Sequence, residues 1–572
     1  MRGSFLTLRI PTTGMHTARA NLAVTAHNMA NHETPGFSRQ ATVQSANPAL
    51  NLRDSRGVYG MGSSVNNVIQ IRDQFLDRRF WGQRAVFGEF AVKVPQLSLI
   101  ESVFNVLSGA GDEIQTGINA GFRDFFAAIH SLTGEAHSST FRTGVLQTGE
   151  ALARNIQSNA LRLQQQQRDL NGEVRAVVTE INSLGRQIVT LNEQIRSLEF
   201  HGSHANDLRD QRALLIDRLS EFVNVTVEEH DFSEMTGINN DLRFTVSLDG
   251  YDFVNHLSTH PLELIAREGV PYFPKRNEMD VPGLYEIRFA NGSRFDMYSP
   301  TLRGTLRGLI DLRDGNGGGA PTIGTLTTSN FRGIPFYQNR LNELVRTFAD
   351  AINELHRNGF DLHDQNNTHI FPDGFDPDTF DTNAPADWAD PALWPPGVTY
   401  DMFDRDEPAT FPLGTITTDF FTWNDSRGNE IQNPDLADMN SLTFSLNTFL
   451  QLNPDRIQAS DTPGGGESNN AIIRAFVDLW NDVSMFNEGT LEDYLNATAN
   501  FLAVDIHQAV RFRQNYHEMS HATQNQRESV SGVSSVEELA NMQRFQALFN
   551  NNARMMQAIN EIYDTLINRL GV

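Results

Sequence analysis

One stretch of this chain has the spacing of a hydrolytic metal site. His517-Glu518-Met519-Ser520-His521 matches H-E-x-x-H, in which two imidazoles one helical turn apart hold zinc and the glutamate between them acts as general base. A second stretch, Asp373, Asp376, Asp378, Asp381 and Asp387, spaces carboxylates closely enough for several to converge on a hard cation such as calcium. Neither pattern is completed. The glycine and third histidine that would extend the zinc motif are replaced by Gln524 and Arg527, and the acidic run lacks the loop glycine and final glutamate of an EF-hand. Apolar positions at Phe512, Tyr516, Met519 and Thr523 turn His517 and His521 toward solvent, whereas a catalytic zinc needs a partly dry pocket. No Walker loop, dinucleotide fingerprint or G-x-S-x-G elbow occurs. The reading therefore assigns no catalytic residue, metal or cofactor, and a zinc metalloprotease using His517, Glu518 and His521 stands as the enzymatic alternative.

The composition narrows the class. A chain of 572 residues exceeds one ordinary core, so two to four domains are expected. Hydrophobic residues make up 39% and charged residues 20%, and no run approaches the ~18 apolar residues that a membrane span requires. The first residues, Met1 to Arg9, lack the unbroken apolar segment of a secretory signal peptide, which argues against Sec-type export. A net charge of −25 opposes binding to nucleic acid or anionic membranes, since contact would begin with repulsion. Partners are expected to be proteins. Cysteine is absent, which excludes disulfides and thiolate metal sites.

The strongest periodicity lies at the two ends. Met542, Phe545, Phe549, Asn552, Met556, Ile559, Tyr563, Leu566 and Leu570 alternate steps of three and four, the signature of a coiled-coil seam. Ser535 and Glu538 stand where a capping box would start that helix. At the other end Leu8, Met15, Leu22 and Met29 recur every seven residues, with Ala18 and Thr25 between them. Each helix carries more apolar seam than it can bury alone, so the ends are expected to pair with each other or with neighbouring subunits. A further seam runs Leu170, Val174, Val177, Ile181, Leu184, Ile188, Leu191, Ile195 and Leu198, and another from Tyr337 through Leu341, Leu344, Phe348 and Ile352 to Leu355. After Val223 the period becomes two, and Asp249-Gly250 marks a hairpin. Gly315 to Gly319 reads as a flexible loop.

The fold class expected is α+β and multidomain: a long helical coiled-coil bundle built from both termini, with β-rich domains inserted in the middle. The divisions are a terminal coiled coil from 1–55 and 515–572, an elongated bundle from 56–225, 301–362 and 441–514, a β domain at 226–300, and a second β-rich or irregular insertion at 363–440.

Thr25-Ala26-His27-Asn28-Met29-Ala30-Asn31-His32-Glu33-Thr34-Pro35-Gly36-Phe37-Ser38-Arg39-Gln40 resembles the N-terminal signature of flagellar rod, hook and hook-associated proteins. Physically, Asn28 and Asn31 are placed to hydrogen-bond backbone at the helix end before Pro35-Gly36 turns the chain. Asn206 to Asp217, Gly304 to Asp314, and Ser529 to Val533 before Glu537-Glu538 resemble the hook-associated protein 1 family in particular. The chain departs from the family pattern at Pro11, where the regular helix is expected to start, and at Ser534-Ser535-Val536.

That resemblance implies a structural subunit exported unfolded by the flagellar type III apparatus with an export chaperone. It would assemble as a ring of copies at the hook tip, between the hook protein below and hook-associated protein 3 above, outside the cell or in the periplasm of an internal flagellum. Leu8, Met15, Leu22, Asn28, Met29, Asn31, Pro35 and Gly36, with Met542, Phe545, Phe549, Met556, Ile559, Tyr563, Leu566 and Leu570, would form the assembly interface. A hook or distal rod protein is the alternative within this superfamily.

Overall fold

The computed structural model describes residues 6–51, 58–104, 117–200, 203–236, 242–267, 276–318, 329–362, 419–432, 434–462 and 465–565. The acidic run Asp373 to Asp387, most of the insertion at 363–440, Gly319, Leu566 and Leu570 lie outside the described residues. Long helices occupy both ends and small antiparallel sheets lie between them, the α+β arrangement expected from the periodicities.

The bundle is organised by one helix of 61 residues, Ser139–Glu199, about 90 Å long at the usual rise per residue. Call it α4, after α1 (Leu6–Ala30), α2 (Gln74–Phe104) and α3 (Ile118–Gly134). Leu163, Leu170, Val174, Val178, Ile181, Leu184, Ile188 and Ile195 are among its buried apolar residues and continue a stripe that begins at Val145. Val178 rather than Val177 is the core residue, and Leu198 is 55% exposed while Glu199 is buried. At the far end the physical reason is the drift of a straight α-helix against a strict heptad: at 3.6 residues per turn the buried stripe falls one residue later after the four heptads from Leu170 to Leu198. Glu199 is compatible with burial because Arg209 meets it at 2.7 Å.

Helices α5 (Asn206–Phe222), α6 (Thr305–Asp314) and α7 (Ile334–Arg357) pack on α4. Tyr337, Leu341, Leu344, Phe348 and Ile352 of α7 are all buried. Phe348 meets Phe122 of α3 edge-on at 4.9 Å, a favourable aromatic geometry. Glycines set the closest approach. A Cβ on Gly308 would lie 2.6 Å from the Glu89 carbonyl oxygen of α2, and one on Gly304, whose φ is +103°, 2.4 Å from that of Phe222. The Gly304 to Asp314 block is thus a helix that only glycine lets settle onto its neighbours. Gly315 and Asn316 are not a loose loop: the Gly315 and Phe331 carbonyls accept from the Gly333 amide, and Asn316 bridges Arg332. Backbone bonds to the following helix entrance fix what composition alone marked as flexible.

Strands β1 (Gln40–Ala46), β2 (Leu50–Asn51), β3 (Val58–Tyr59) and β4 (Ser63–Gln70) precede α2, and β1 pairs antiparallel with β4. Further on, β5 (Val225–Asp231), β6 (Leu242–Leu248), β7 (Tyr251–Asn255) and β8 (Ser258–Thr259) form an antiparallel meander, followed by the pair β9 (Leu262–Ala266) and β10 (Tyr285–Phe289). Asp249 and Gly250 both have positive φ, the turn that matches strand twist in a two-residue hairpin. Three asparagines of α4, ten or eleven residues apart, hold this region to the helix. Asn171 bonds the Gly283 carbonyl and Tyr285 amide, Asn182 both backbone groups of Leu262, and Asn192 the His256 carbonyl. Strands β11 (Phe421–Trp423) and β12 (Phe444–Leu446) pair and bury their aromatics against α3.

Helix α8 (Ala471–Asp478) leads to α9 (Leu491–Ser531), which begins at a capping box formed by Thr490 and Asp493. It runs antiparallel to α2, with Phe90 stacked on Phe512 at 4.8 Å and Asp77 paired to Arg527 at 2.8 Å. The last helix, α10 (Ser535–Asp564), is capped by Ser534, one residue earlier than expected. Glu538 has a different task, described below.

Candidate assembly interface and its joint

The two ends of the chain meet. A Cβ on Gly14 of α1 would lie within 2.7 Å of the Asn552 side chain, and the Thr12 hydroxyl reaches the Met556 sulfur at 3.6 Å. Partner numbers fall on α10 as they rise on α1, so the helices are antiparallel. Met542, Phe545, Phe549, Asn552, Met556, Ile559 and Tyr563 are all half-buried, and most of the positions between them are exposed. On α1, Leu8, Met15, Leu22 and Met29 are likewise half-buried. Pro11 lies inside α1, since the helix already starts at Leu6. Its missing amide removes one backbone bond within the second turn rather than none.

The most buried face of α1 is polar, and hydropathy gave no sign of it. Thr17, Asn21, Thr25 and Asn28 are buried beside Ala18. Asn21 accepts from the hydroxyl of Thr42 at 2.5 Å and from the amide of Gln44 at 3.0 Å, and Asn28 exchanges two hydrogen bonds of 2.9 and 3.0 Å with the backbone of Gln40. Asn28 therefore holds strand β1 rather than its own helix end. Asn31 does bond its helix end, donating to the His27 carbonyl at 3.1 Å. Pro35 and Gly36, the latter at φ +78°, then make a type II turn closed by the Phe37 amide on Thr34.

The terminal pair is fastened to the bundle by charges from distant parts of the chain. Asp210 of α5 accepts from the Ser38 amide at 2.8 Å and from Arg72 at 3.3 Å, and Asp207 accepts from Gln40 at 2.7 Å. Arg72 also pairs with Asp77 at 3.1 Å. Arg527 binds Asp77 and Asp217, and Trp81 donates to Asp217 at 2.6 Å. Burial is the largest influence on Asp210 and Asp217 and lifts both carboxyls above their ordinary range, against the pull of Ser38 and Arg72 on the first and of Arg527 and Trp81 on the second. The Asn206 to Asp217 block is thus the receiver for the terminal module.

Between α9 and α10 the chain leaves helix at Gly532, and a second clamp spans the break. Arg39 donates to Glu538 at 2.9 Å and to Glu537 at 3.4 Å, while its own amide donates to the Ser531 carbonyl at 2.7 Å. Glu538 is 2% exposed and Arg39 27%. Replacing Arg39 by alanine strands a buried carboxylate, at a cost of roughly 2–3 kcal/mol, the low end for a broken buried pair because the arginine is partly solvated. The expected result is faster amide exchange across Ser535–Asp564, with the melting of the bundle little changed.

His517 and His521 sit on the exposed face of α9, and Glu518 is exposed and accepts from Gln514 at 3.2 Å. Met519 is 44% exposed, so Ser520, Thr523 and Arg527 form the buried face instead. Gln83 and Arg527's carboxylate partners make that face polar, which is why an apolar seam misplaced it. Among the described residues, no three histidine or carboxylate groups gather as metal ligands, and nothing supports the protease alternative.

Known proteins with similar sequence or fold are flagellar. Residues 101–371 match the model described as flagellar hook-associated protein FlgK helical domain, and residues 524–570 that described as flagellar basal body rod FlgEFG protein C-terminal. The flagellar hook-associated protein 1 of Bacillus subtilis (strain 168) is 26% identical across 100% of this chain and 99% of its own. That of Escherichia coli (strain K12) is 24% identical over 97% and 98%. The flagellar hook junction protein FlgK from Burkholderia pseudomallei shares the fold, with a TM-score of 0.51 and 14% identity over 79% of this chain and 100% of that one. Along its whole length the chain is thus similar to the flagellar hook-associated protein 1 of these bacteria.

Proposed function

We propose that this protein is a structural, non-enzymatic adaptor at the hook-filament junction, assembling as a ring of copies by ordering its terminal helices against one another. The observation that carries this is a second stripe on α10. Leu548, Met555 and Ile562 recur every seven residues along the flank of the seam that faces α1 and are 42%, 52% and 57% exposed. A seven-residue apolar repeat with nothing against it is half of a helix-helix interface, and head-to-tail repetition of such a contact closes a tube. Leu8, Met15, Leu22, Met29 and the Met542 to Tyr563 seam hold the pair together, and the second stripe meets the neighbouring copy.

The further assignments follow from that reading: hook protein below, hook-associated protein 3 above, an export chaperone shielding the terminal helices before assembly, and passage through the flagellar type III apparatus. The net charge of −25 and the lack of any helix long and apolar enough to cross a membrane among the described residues are compatible with protein partners. Gold labelling of an epitope-tagged copy on isolated hook-basal bodies should place it at the distal end of the hook. Label along the hook or rod would favour the hook or distal rod alternative.

A further inference from the structure

The H-E-x-x-H stretch is not absorbed by assembly through the terminal helices, and its geometry has a use of its own. His517 and His521 project one turn apart from the exposed face of α9, with ring centroids 5.7 Å apart and ring planes at 82°. Both histidines are exposed, and among the described residues neither ring makes a hydrogen bond. The helix beneath them is held firmly: Phe87 lies 5.4 Å from the His517 ring, Phe90 stacks on Phe512, and Ser520 and Thr523 are buried against α2. Two ligands at helical spacing on a fixed backbone need little ordering to converge on one ion.

We infer that His517 and His521 form an open, non-catalytic two-imidazole chelate for a first-row divalent transition ion such as zinc, nickel or copper. Neutral imidazoles suit these ions and not calcium or magnesium, which prefer oxygen. Glu518 takes no part in the chelate, because it is directed to Gln514. The remaining coordination positions face solvent, so water or an incoming side chain fills them. The helix gains a crosslink across one turn, close to the polar joint at Arg527.

The test is calorimetric titration of the full chain with zinc chloride, nickel chloride and calcium chloride, beside His517→Ala, His521→Ala and Glu518→Gln. Both histidines are exposed, so unchanged circular dichroism will show that the variants fold. Zinc and nickel should bind one site that either histidine variant weakens by more than about tenfold, the least expected when even an outer-shell partner is lost. Glu518→Gln should bind as the wild type does, and calcium should not compete. Unchanged zinc affinity in either histidine variant overturns the chelate, as does loss of binding in Glu518→Gln or displacement by calcium.

Discussion

A chain ending before Ser535 should fold its bundle, keep that bundle's thermal transition, and build no hook-filament junctions. The contiguous apolar core runs from Trp81 to Ala509 and contains no residue of α1 or α10, so its stability does not depend on either. Among the described side chains of α10 only Glu538 is fully buried. The helix is held by a half-buried seam against one partner and by the Arg39 clamp, and a lone pair of helices is marginal in water because nucleation is costly. Without α10, the 25 residues of α1 lose the apolar side of their packing and keep only the polar contacts to β1 and β4. Helical signal should therefore fall by more than the deleted helix alone. In cells carrying only the truncated gene, electron microscopy should show hooks without filaments, and swimming should cease. Junctions that still form would mean that assembly does not run through the terminal helices.

A milder version separates packing from presence. Leu548→Asp with Met555→Asp leaves the seam residues toward α1 unchanged and places charges on the exposed stripe beside them. The monomer should be as helical as the wild type while polymerisation fails, which assigns the defect to contact between copies.

The ends were legible because a heptad survives in hydropathy even when each seam is only half-buried. The β1–β4 hairpin was not, since Gln40 to Ala46 and Ser63 to Gln70 are largely half-exposed and show no clean alternation. Their cover is the polar face of α1, where Thr17, Asn21 and Asn28 bury hydrogen bonds rather than hydrocarbon. Small polar residues at steps of four and seven beside the narrow apolar stripe of this helix are the trace that this face left. The joint was hidden for another reason. Asp77, Asp210, Asp217 and Arg527 look like ordinary surface charges one at a time, and only the fold brings positions 450 residues apart within 3 Å. Resemblance singled out the Asn206 to Asp217 block, and the structure supplied its role as the receiver of the terminal module. Glycine spacing in the Gly304 to Asp314 block was visible, but the carbonyls that it accommodates were not.

The largest effect on folding should come from Asp314, which closes α6. Its carboxylate meets Arg267 and Arg313 at 2.7 Å each and accepts from the Tyr298 hydroxyl at 2.8 Å, and Arg267 also pairs with Glu286 and Asp280. Arg276 joins Glu286 at 2.9 Å. Three guanidinium groups thus face three carboxylates in a region closed to solvent, so charge is balanced only while every member is present. Asp314→Ala leaves a buried positive charge unmatched and should cost about 3–5 kcal/mol, read as a lower denaturant midpoint. Asp314→Asn keeps the shape and removes only the charge, so it should lose most of the same amount. Burial alone would raise the Asp314 carboxyl, but Arg267 first and Arg313 next hold it well below the ordinary carboxylate range. A carboxyl lowered on folding stabilises fully above its unfolded pKa and loses that contribution as pH falls through its folded value. Asp210 and Asp217 are raised and act in the opposite sense: their contribution is present at acid pH and lost as pH rises through their folded values. Below about pH 4 the bundle should therefore weaken while the joint is relieved, and Asp314→Asn should flatten the fall in wild-type stability toward acid. An unchanged slope would mean that the knot does not couple to protons. Arg267 follows β9, Glu286 lies on β10 and Asp314 ends α6, and Gln167 of α4 bonds both Asp280 and the Arg313 carbonyl, so the same knot locks the inserted sheet onto the central helix.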